Sequence, residues 1–294
     1  MDERIFLLID AGNSAVKAQF WRYPGGVQRF FCEERAPSLS GPIERIDNAE
    51  LSVDRLVSAW RAHLQDNLNI LDPKQSQIEL AWVSVGPTRA RDVIAQAYRI
   101  LTDKDPAQPW TGRFRQMLPW RRQYFENAYH DPAQLGADRW VSGLGLAALG
   151  VMRPGEFHLV VSAGTATTFD LLHQRDDATC VFMGGWIIPG LHLMHQGLRQ
   201  GTRQLDYGLS DAPGRDIGIP RDSQTAIEQG IALAQTALID RISVSYALKR
   251  LWLHGGCAAQ WARFYHGARQ DHPGLALSQR QDLAFIGLLA TIGS

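Results

Sequence analysis

The fold is decided by the stretch Leu7-Leu8-Ile9-Asp10-Ala11-Gly12-Asn13-Ser14, which has a counterpart in Leu159-Val160-Val161-Ser162-Ala163-Gly164-Thr165-Ala166. In each stretch a run of apolar residues leads into a turn of small, hydroxyl-bearing or amide-bearing residues. A second short apolar stretch follows each turn, at residues 16–21 and 168–172. This pattern predicts a buried strand, a tight turn and a second strand, once in each half of a duplicated fold.

Both turns contain the residue types that bind anions. Glycine has no Cβ, so backbone N–H groups can approach an anion closely, and Ser, Thr and Asn side chains add further donors. One such turn in each half predicts a fold that grips a polyphosphate between its halves.

The composition is typical of a soluble globular protein. The 294 residues are 45% hydrophobic, enough to fill two domain cores. Thirty basic residues balance thirty acidic ones, so no overall field favours nucleic acid or an anionic membrane as a partner. The cysteines, Cys32, Cys180 and Cys257, show no C-x-x-C spacing, which argues against a disulfide framework and a thiolate zinc site. Because Asp2 and Glu3 do not suit a signal peptide and no apolar run reaches the ~18 to 20 residues of a membrane span, we expect a cytoplasmic protein.

Hydrophobic periodicity predicts further elements in both halves. Ser52 is a candidate N-cap for a helix, and Gly143 and Gly145 in a later helix allow close packing against a neighbour or a ligand. The other predicted elements are a strand at 78–85, helices at 88–100 and 138–149, a short helix after Pro189-Gly190, a long helix at 225–248 and a strand at 250–254. Strands followed by helices, twice over, predict α/β or α+β layers with a pseudo-twofold relation.

The first turn carries candidate metal and phosphate ligands. Asp10 stands where a strand ends, a suitable position for a carboxylate that holds hydrated Mg²⁺, because this ion needs only one or two protein carboxylates. Gly12, Asn13 and Ser14 would cradle phosphates, and Lys17 would reach the same group as a mobile charge. The alternative is an ordinary hairpin turn with a solvated lysine.

The second turn, Gly164-Thr165-Ala166-Thr167, offers hydroxyl donors beside a flexible backbone. The alternative is that its β-branched threonines simply begin the next strand. The pair Gly255-Gly256 follows the late strand, where a nucleotide base would rest on the backbone or where the strand merely leaves the sheet.

Asp138 and Arg139 fall at a predicted helix start. As a catalytic group, Asp138 would accept the proton of an attacking hydroxyl, and Arg139 would bind a carboxylate or phosphate through two hydrogen bonds. The alternative interpretation of Asp138 is a plain helix cap. The chain has neither a G-x-x-x-x-G-K-[ST] motif, which excludes a Walker-type ATPase, nor a G-x-S-x-G motif.

Taken together and in this order, these segments resemble the type III pantothenate kinases, members of the superfold of acetate and sugar kinases, Hsp70 and actin. The matching segments span nearly the whole chain: residues 10–17, 127–139, 164–170, 184–190 and the helix running to Thr202. The resemblance implies an α/β fold of duplicated ribonuclease H-like (actin-like ATPase) domains, 1–135 and 136–294, with mixed central sheets and a cleft between them.

The resemblance also implies an activity, the phosphorylation of pantothenate at its 4′-hydroxyl by ATP, which is the first step toward coenzyme A. It implies Mg²⁺, a monovalent cation such as K⁺ or NH₄⁺, and a homodimer with sites near the subunit interface. Pantothenate and ATP are therefore the expected partners.

Residue roles follow from the same resemblance. Asp10 would organise the metal, Asp138 would be the catalytic base, and Asn13 and Lys17 would meet the ATP phosphates. The remaining candidates for ATP binding are Gly12, Ser14, Gly164, Thr165, Ala166, Thr167, Gly255 and Gly256. The candidates for pantothenate binding are Tyr129, Gly136, Ala137, Arg139 and Thr202, the last supplied either within the chain or by the partner subunit.

One position departs from the family pattern. Many members carry an aspartate at the position of Ser162, where it helps to hold the monovalent cation, and serine brings no charge. We therefore expect weaker potassium activation than in relatives with that aspartate.

Two other functions remain as hypotheses. Some relatives are described as accessory factors of transcription, so one alternative is a non-catalytic, nucleotide-binding regulator on the same fold. The other is a different kinase or a phosphohydrolase of this fold.

Overall fold

The computed structural model describes residues 4–23, 42–112, 114–118, 121–201, 207–209, 218–267 and 275–292. The chain forms two compact units. The first contains Met1–Arg153, Asp176–Phe182 and Asp282–Ser294, and the second contains Pro154–Arg175 and Met183–Gln281. These bounds differ from the domains 1–135 and 136–294 expected from the sequence, because the helix that carries Asp138 and the C-terminal helix pack together in the first unit.

The described chain contains runs of strands separated by helices. The strands are β1 (Arg4–Ala11), β2 (Ala15–Tyr23), β3 (Glu44–Asp47), β4 (Ile78–Ser84), β5 (Arg115–Leu118), β6 (Gln123–Asn127), β7 (Phe157–Ala163), β8 (Ala166–Asp176), β9 (Thr179–Pro189), β10 (Arg250–His254) and β11 (Ala276–Gln279). The helices are α1 (Val53–Leu68), α2 (Thr88–Thr102), α3 (Ala137–Leu149), α4 (Leu191–Gly201), α5 (Ser223–Tyr246), α6 (Ala258–Gly267) and α7 (Leu283–Ile292). Within the parts of the chain that the structure describes, no helix is both long enough and apolar enough to cross a membrane.

The first unit contains a four-stranded sheet in the order β3-β2-β1-β4. Strand β2 is antiparallel to both β1 and β3, whereas β4 is parallel to β1. The central strand β1 therefore ends between two neighbours, and the first turn connects it to β2. In the same unit, β5 and β6 form an antiparallel pair, and β6 runs parallel to residues 179–182 of β9.

Every residue of β1 from 5 to 9 is buried, because helices cover the sheet of the first unit. Ile5, Leu7 and Ile9 pack in one core with α1 and α2. The predicted cap of α1 is confirmed, since the Ser52 side chain accepts a hydrogen bond from the Arg55 N–H. Helices α3 and α7 contact β4, and α7 also contacts β1.

The helices α3 and α7 touch through their backbones. A Cβ at Gly145 would overlap the Leu283 carbonyl oxygen, and a Cβ at Gly287 would overlap that of Val141. The small residues predicted in this helix therefore serve packing against a neighbour, which holds the helix that carries Asp138 in place.

The second unit contains the strand order β11-β10-β7-β8-β9. Strand β8 is antiparallel to β7, whereas β10 is parallel to β7 and to β11. Counted from the central strand, both sheets thus have an antiparallel second strand on one side and a parallel strand on the other. This repetition confirms the predicted α/β class with duplicated, ribonuclease H-like mixed sheets.

We expect Gly145→Ala to destabilise the first unit by about 1–3 kcal/mol, because the added methyl group has no room between α3 and α7. The matched control is Gly230→Ala in α5, where nothing lies within 4 Å of the added Cβ. There the gain in helix propensity should raise the free energy of unfolding by up to about 1 kcal/mol. Denaturant unfolding of both variants measures the difference, and equal effects at the two positions would contradict the packing argument.

Candidate active site

The first turn lies between two paired residues of opposite charge. Asp10 and Lys17 are partners in the register of β1 and β2, and their Oδ2 and Nζ atoms are 3.5 Å apart. The Asp10 side chain is 16% exposed and that of Lys17 is 21% exposed. Between them, the Gly12 N–H donates to the Ala15 carbonyl oxygen at 3.0 Å. The predicted metal ligand and the predicted phosphate-binding lysine are therefore neighbours at the end of β1.

Asp138 lies in the first turn of α3, directly after the N-cap residue Gly136 and Ala137. Its carboxylate accepts hydrogen bonds from its own backbone N–H and from that of Arg139. A Cβ at Gly136 would lie 2.6 Å from Asp138 Oδ1, so a larger residue there would shift this carboxylate. Asp138 is therefore not the cap of this helix, because the N-cap is Gly136 and no side chain caps the helix.

The electrostatic surroundings of Asp138 differ from those of an ordinary carboxylate at a helix start. Burial raises the pKa of Asp138, and the negative charge of Asp10 raises it further. The two backbone N–H groups and the Arg139 guanidinium oppose this rise. A desolvated carboxylate beside a second carboxylate is a typical arrangement for a general base.

Arg139, Tyr129 and Phe182 form a cluster beside Asp138. The buried Arg139 guanidinium donates to the Tyr129 hydroxyl at 2.9 Å. Its Cζ lies 5.9 Å from the centre of the Tyr129 ring and 5.7 Å from that of Phe182. The structure therefore brings the predicted substrate residues Tyr129 and Arg139 together, and it adds Phe182, which the sequence argument did not select.

Gly86 is another residue that the sequence argument missed. The N–H groups of Val85 and Gly86 both donate to the Ala11 carbonyl oxygen, at 3.0 and 3.1 Å. A Cβ at Gly86 would overlap the Gly12 carbonyl oxygen. The glycine between a strand end and Pro87 was the available signal for this close approach.

The second turn lies in the second unit. Like the first turn, it is held by backbone hydrogen bonds and by close contact with a glycine. The Gly164 N–H donates to the Ala166 carbonyl oxygen at 3.0 Å, and the Gly190 N–H donates to that of Thr165 at 2.9 Å. A Cβ at Gly190 would overlap the Gly164 carbonyl oxygen. Thr167 is fully buried, and its hydroxyl has no hydrogen-bond partner among the described residues.

Gly255 follows β10 with a φ of +104°, a conformation that side chains rarely adopt. A Cβ there would overlap the backbone of Ala163, and its N–H donates to Gln281 Oε1 at 3.1 Å. Gly255 therefore lets the end of β10 approach the end of β7, whereas its neighbour Gly256 is exposed. Thr202 lies outside the described residues.

The Asp10 carboxylate is suited to bind a divalent metal ion that keeps most of its water ligands. The described residues contain no group of three or more His, Cys, Asp and Glu side chains that could enclose an ion. Mg²⁺ needs no such group, since it keeps several waters and binds one or two carboxylates together with substrate phosphates. Asp10, at the end of β1, provides one such carboxylate.

Comparison with known proteins identifies the family of this chain. The sequence profile described as type III pantothenate kinase matches residues 6–245. The type III pantothenate kinase of Aromatoleum aromaticum is 40% identical over 166 residues, which cover 54% of this chain and 64% of that protein. That of Dechloromonas aromatica is 31% identical over 239 residues, 81% of this chain and 80% of that protein. The chain thus spans just under two thirds of the length of the Aromatoleum relative and four fifths of the Dechloromonas relative.

A solved structure resembles the fold over nearly its full length. It is a conserved candidate Baf family transcriptional activator from Campylobacter jejuni, which is 16% identical with a TM-score of 0.53. The match covers 98% of this chain and 97% of that one. Since the family profile covers most of the chain, the chain belongs to the type III pantothenate kinase family.

Proposed function

We propose that this protein transfers the γ-phosphoryl group of ATP to the 4′-hydroxyl of pantothenate, the first step toward coenzyme A. The observation that carries the proposal is the desolvated Asp138 carboxylate beside Asp10, at the end of the strand that leads into the first turn. Family membership gives the acceptor, because the matching profile and relatives are described as type III pantothenate kinases.

Asp138 is the proposed general base. Its carboxylate accepts the proton of the 4′-hydroxyl while that oxygen forms a bond to the γ-phosphorus and the bond to the ADP oxygen breaks. The raised pKa of Asp138 makes it a stronger base than an ordinary aspartate, provided that it is ionised. Phosphoryl transfer needs little more from the protein than alignment and neutralisation of charge.

Asp10, Lys17 and the first turn are proposed to align the phosphates. Asp10 would hold Mg²⁺, which when bound neutralises charge on the transferred group. Lys17 already compensates the Asp10 charge and stays partly exposed, so it can reach a phosphate oxygen. The N–H groups of Asn13 and Ser14 are the proposed anion donors of this turn, and Gly12 is proposed to let the phosphate approach the backbone closely.

The second turn is proposed to bind the rest of the phosphate chain. The orphaned Thr167 hydroxyl and the backbone of Gly164, Thr165 and Ala166 supply uncharged donors. The backbone of Gly255 and Gly256 is proposed to support the nucleoside, and the exposed Gly256 would leave room for it because it brings no side chain.

Pantothenate has a carboxylate, and Arg139 is the proposed partner of that group. Tyr129 and Phe182 hold the Arg139 guanidinium from its sides, which fixes the direction of its hydrogen bonds. Gly136 and Ala137 precede Asp138 and would line the same substrate. Thr202 remains a proposed contact, from either the same chain or the partner subunit.

A homodimer is also proposed. In the second unit, Ile187, Leu193 and Leu198 expose 61%, 44% and 38% of their surface. These apolar side chains on β9 and α4 give a second copy of the chain a surface to cover.

The alternative function is a regulator that binds a nucleotide without transferring its phosphate. Such a protein would have no need for a desolvated carboxylate at position 138, because burial of this group costs stability. The presence of Asp10, Asp138 and Arg139 in one unit therefore favours the kinase. A panel of hydroxyl acceptors would separate pantothenate from the substrate of any other kinase or phosphohydrolase of this fold.

We expect Asp138→Asn to lower the rate of phosphoryl transfer to pantothenate at least ~10²-fold, the usual contribution of a general base. The fold should persist, because the asparagine oxygen can still accept the helix N–H groups. The matched control is Asp54→Asn, which changes an exposed first-turn aspartate of α1 and should leave the rate unchanged. Full activity of Asp138→Asn would remove Asp138 from this role.

The raised pKa of Asp138 also predicts how this substitution affects stability. Because the pKa is higher in the folded than in the unfolded chain, ionisation of Asp138 opposes folding at pH values above the folded pKa. This cost is absent below the unfolded pKa of about 4. Without metal or nucleotide, Asp138→Asn should therefore melt at a higher temperature than the wild type at about pH 8, with a smaller margin near about pH 4. A difference in melting temperature that does not change with pH would show that the raised pKa of Asp138 is not its cause.

The Ser162 position predicts a weak response to potassium. Ser162 is paired with Thr168 and His254 across the sheet, and none of the three brings a carboxylate. In an assay without sodium, potassium and ammonium, added potassium should raise the rate of Ser162→Asp more than that of the wild type. A steep rise for the wild type would show that serine suffices at this position.

A further inference from the structure

Asn48 lies directly after β3 and binds the first turn at three points. Its backbone N–H donates to the Ser14 carbonyl oxygen at 2.8 Å. Its side-chain Nδ2 donates to the carbonyl oxygens of Gly12 at 3.1 Å and Asn13 at 2.8 Å. One residue thus binds the carbonyl groups of all three residues of the turn.

The side-chain amide can take only one orientation here. Both groups near Nδ2 are carbonyl oxygens, so a rotated amide would bring its own oxygen against two acceptors. The other side-chain atom, Oδ1, is buried and has no hydrogen-bond partner among the described residues. A buried acceptor without a partner opposes folding. The favourable contribution of the Asn48 side chain therefore comes from its Nδ2 donor.

These bonds determine where the turn presents its N–H groups. In a trans peptide the N–H and C=O bonds point in opposite directions. Because the carbonyl groups of Gly12 and Asn13 point to Asn48, the N–H groups of Asn13 and Ser14 face the opposite side of the turn. Both residues are exposed, so that side is accessible to an anion.

The position of Asn48 is itself fixed by the first unit. Strand β3 pairs with β2, with Asp47 opposite Ala15. At the other end of β3, the Glu44 carboxylate contacts the buried His63 of α1, with 3.2 Å between Oε1 and Nδ1. Asn48 therefore joins the turn to a strand that is anchored on both sides.

We propose that Asn48 is a positioning residue, which holds the turn of Gly12, Asn13 and Ser14 in the conformation that binds the ATP phosphates. Asn48 acts on the nucleotide through the backbone of the turn. This inference rests on the proposed binding of ATP at the first turn, and it adds a residue that the sequence motif of that turn does not include.

Two variants of Asn48 test the proposal. Asn48→Ala removes the donor, and Asn48→Asp keeps the shape but places a carboxylate oxygen against two carbonyl oxygens. We expect the Kd of ATP with magnesium, measured by calorimetry, to rise about tenfold for Asn48→Ala and further for Asn48→Asp. In steady-state assays the KM for ATP should rise in the same way, whereas the KM for pantothenate should stay within about twofold.

The control is Asn67→Ala, an identical substitution at an exposed residue whose side chain binds the His63 carbonyl oxygen within α1. Its Kd for ATP should equal that of the wild type. The melting temperatures of all variants distinguish a specific effect on ATP binding from a general loss of stability. An ATP Kd within about twofold of the wild type for both Asn48 variants would overturn the proposal. A parallel rise of both KM values with a lower melting temperature would also overturn it.

The same experiments distinguish failure of this inference from failure of the proposed function. If the wild type transfers no phosphate to pantothenate but binds ATP, the kinase proposal fails while the calorimetry of the Asn48 variants still decides the role of Asn48. If the wild type does not bind ATP, the first turn is no phosphate site and both proposals fall.

Discussion

The candidate site depends on close contact between backbones at the end of each central strand. At the first turn, the Gly12 carbonyl oxygen lies where a Cβ of Gly86 would be, and at the second the Gly164 carbonyl oxygen lies where a Cβ of Gly190 would be. A turn that presents N–H groups to an anion must bury its carbonyl oxygens on the other side. A side chain at Gly86 or Gly190 would push the turn out of that arrangement.

The carboxylates of Asp10 and Asp138 near the first turn oppose folding, although the proposed function needs both. Asp10 and Asp138 repel each other, and burial adds to the cost of ionising Asp138. Lys17, two helix N–H groups and Arg139 compensate part of that cost. Functional sites often retain such destabilising pairs because activity needs them. The rigid contact between α3 and α7 keeps Asp138 in place despite the repulsion.

Local patterns in the sequence were enough to predict the strands on both sides of each turn, and they selected Asp10, Asp138 and Arg139, which the structure places in one unit. They could not reveal Asn48 or Gly86, because these residues act on the first turn from segments that lie far from it along the chain. Nothing in the periodicity of β3 states which carbonyl groups the next residue will bind. The same reason explains the domain bounds, since the contact of α7 with α3 joins the end of the chain to its middle.

Duplication of the fold has left the two turns with different chemistry. The register pair Asp10 and Lys17 in the first unit corresponds to Ser162 and Thr168 in the second, so an ion pair has become two hydroxyl groups. One step further along, the pair of Ala11 and Val16 corresponds to Ala163 and Thr167, which adds a buried hydroxyl where the first unit has an apolar side chain. In the proposed function, the charge that a metal ion and a transferred phosphate require would therefore come from the first unit, next to Asp138. In the proposed function, the hydroxyl and backbone donors of the second turn would bind the phosphate chain without competing for a metal ion.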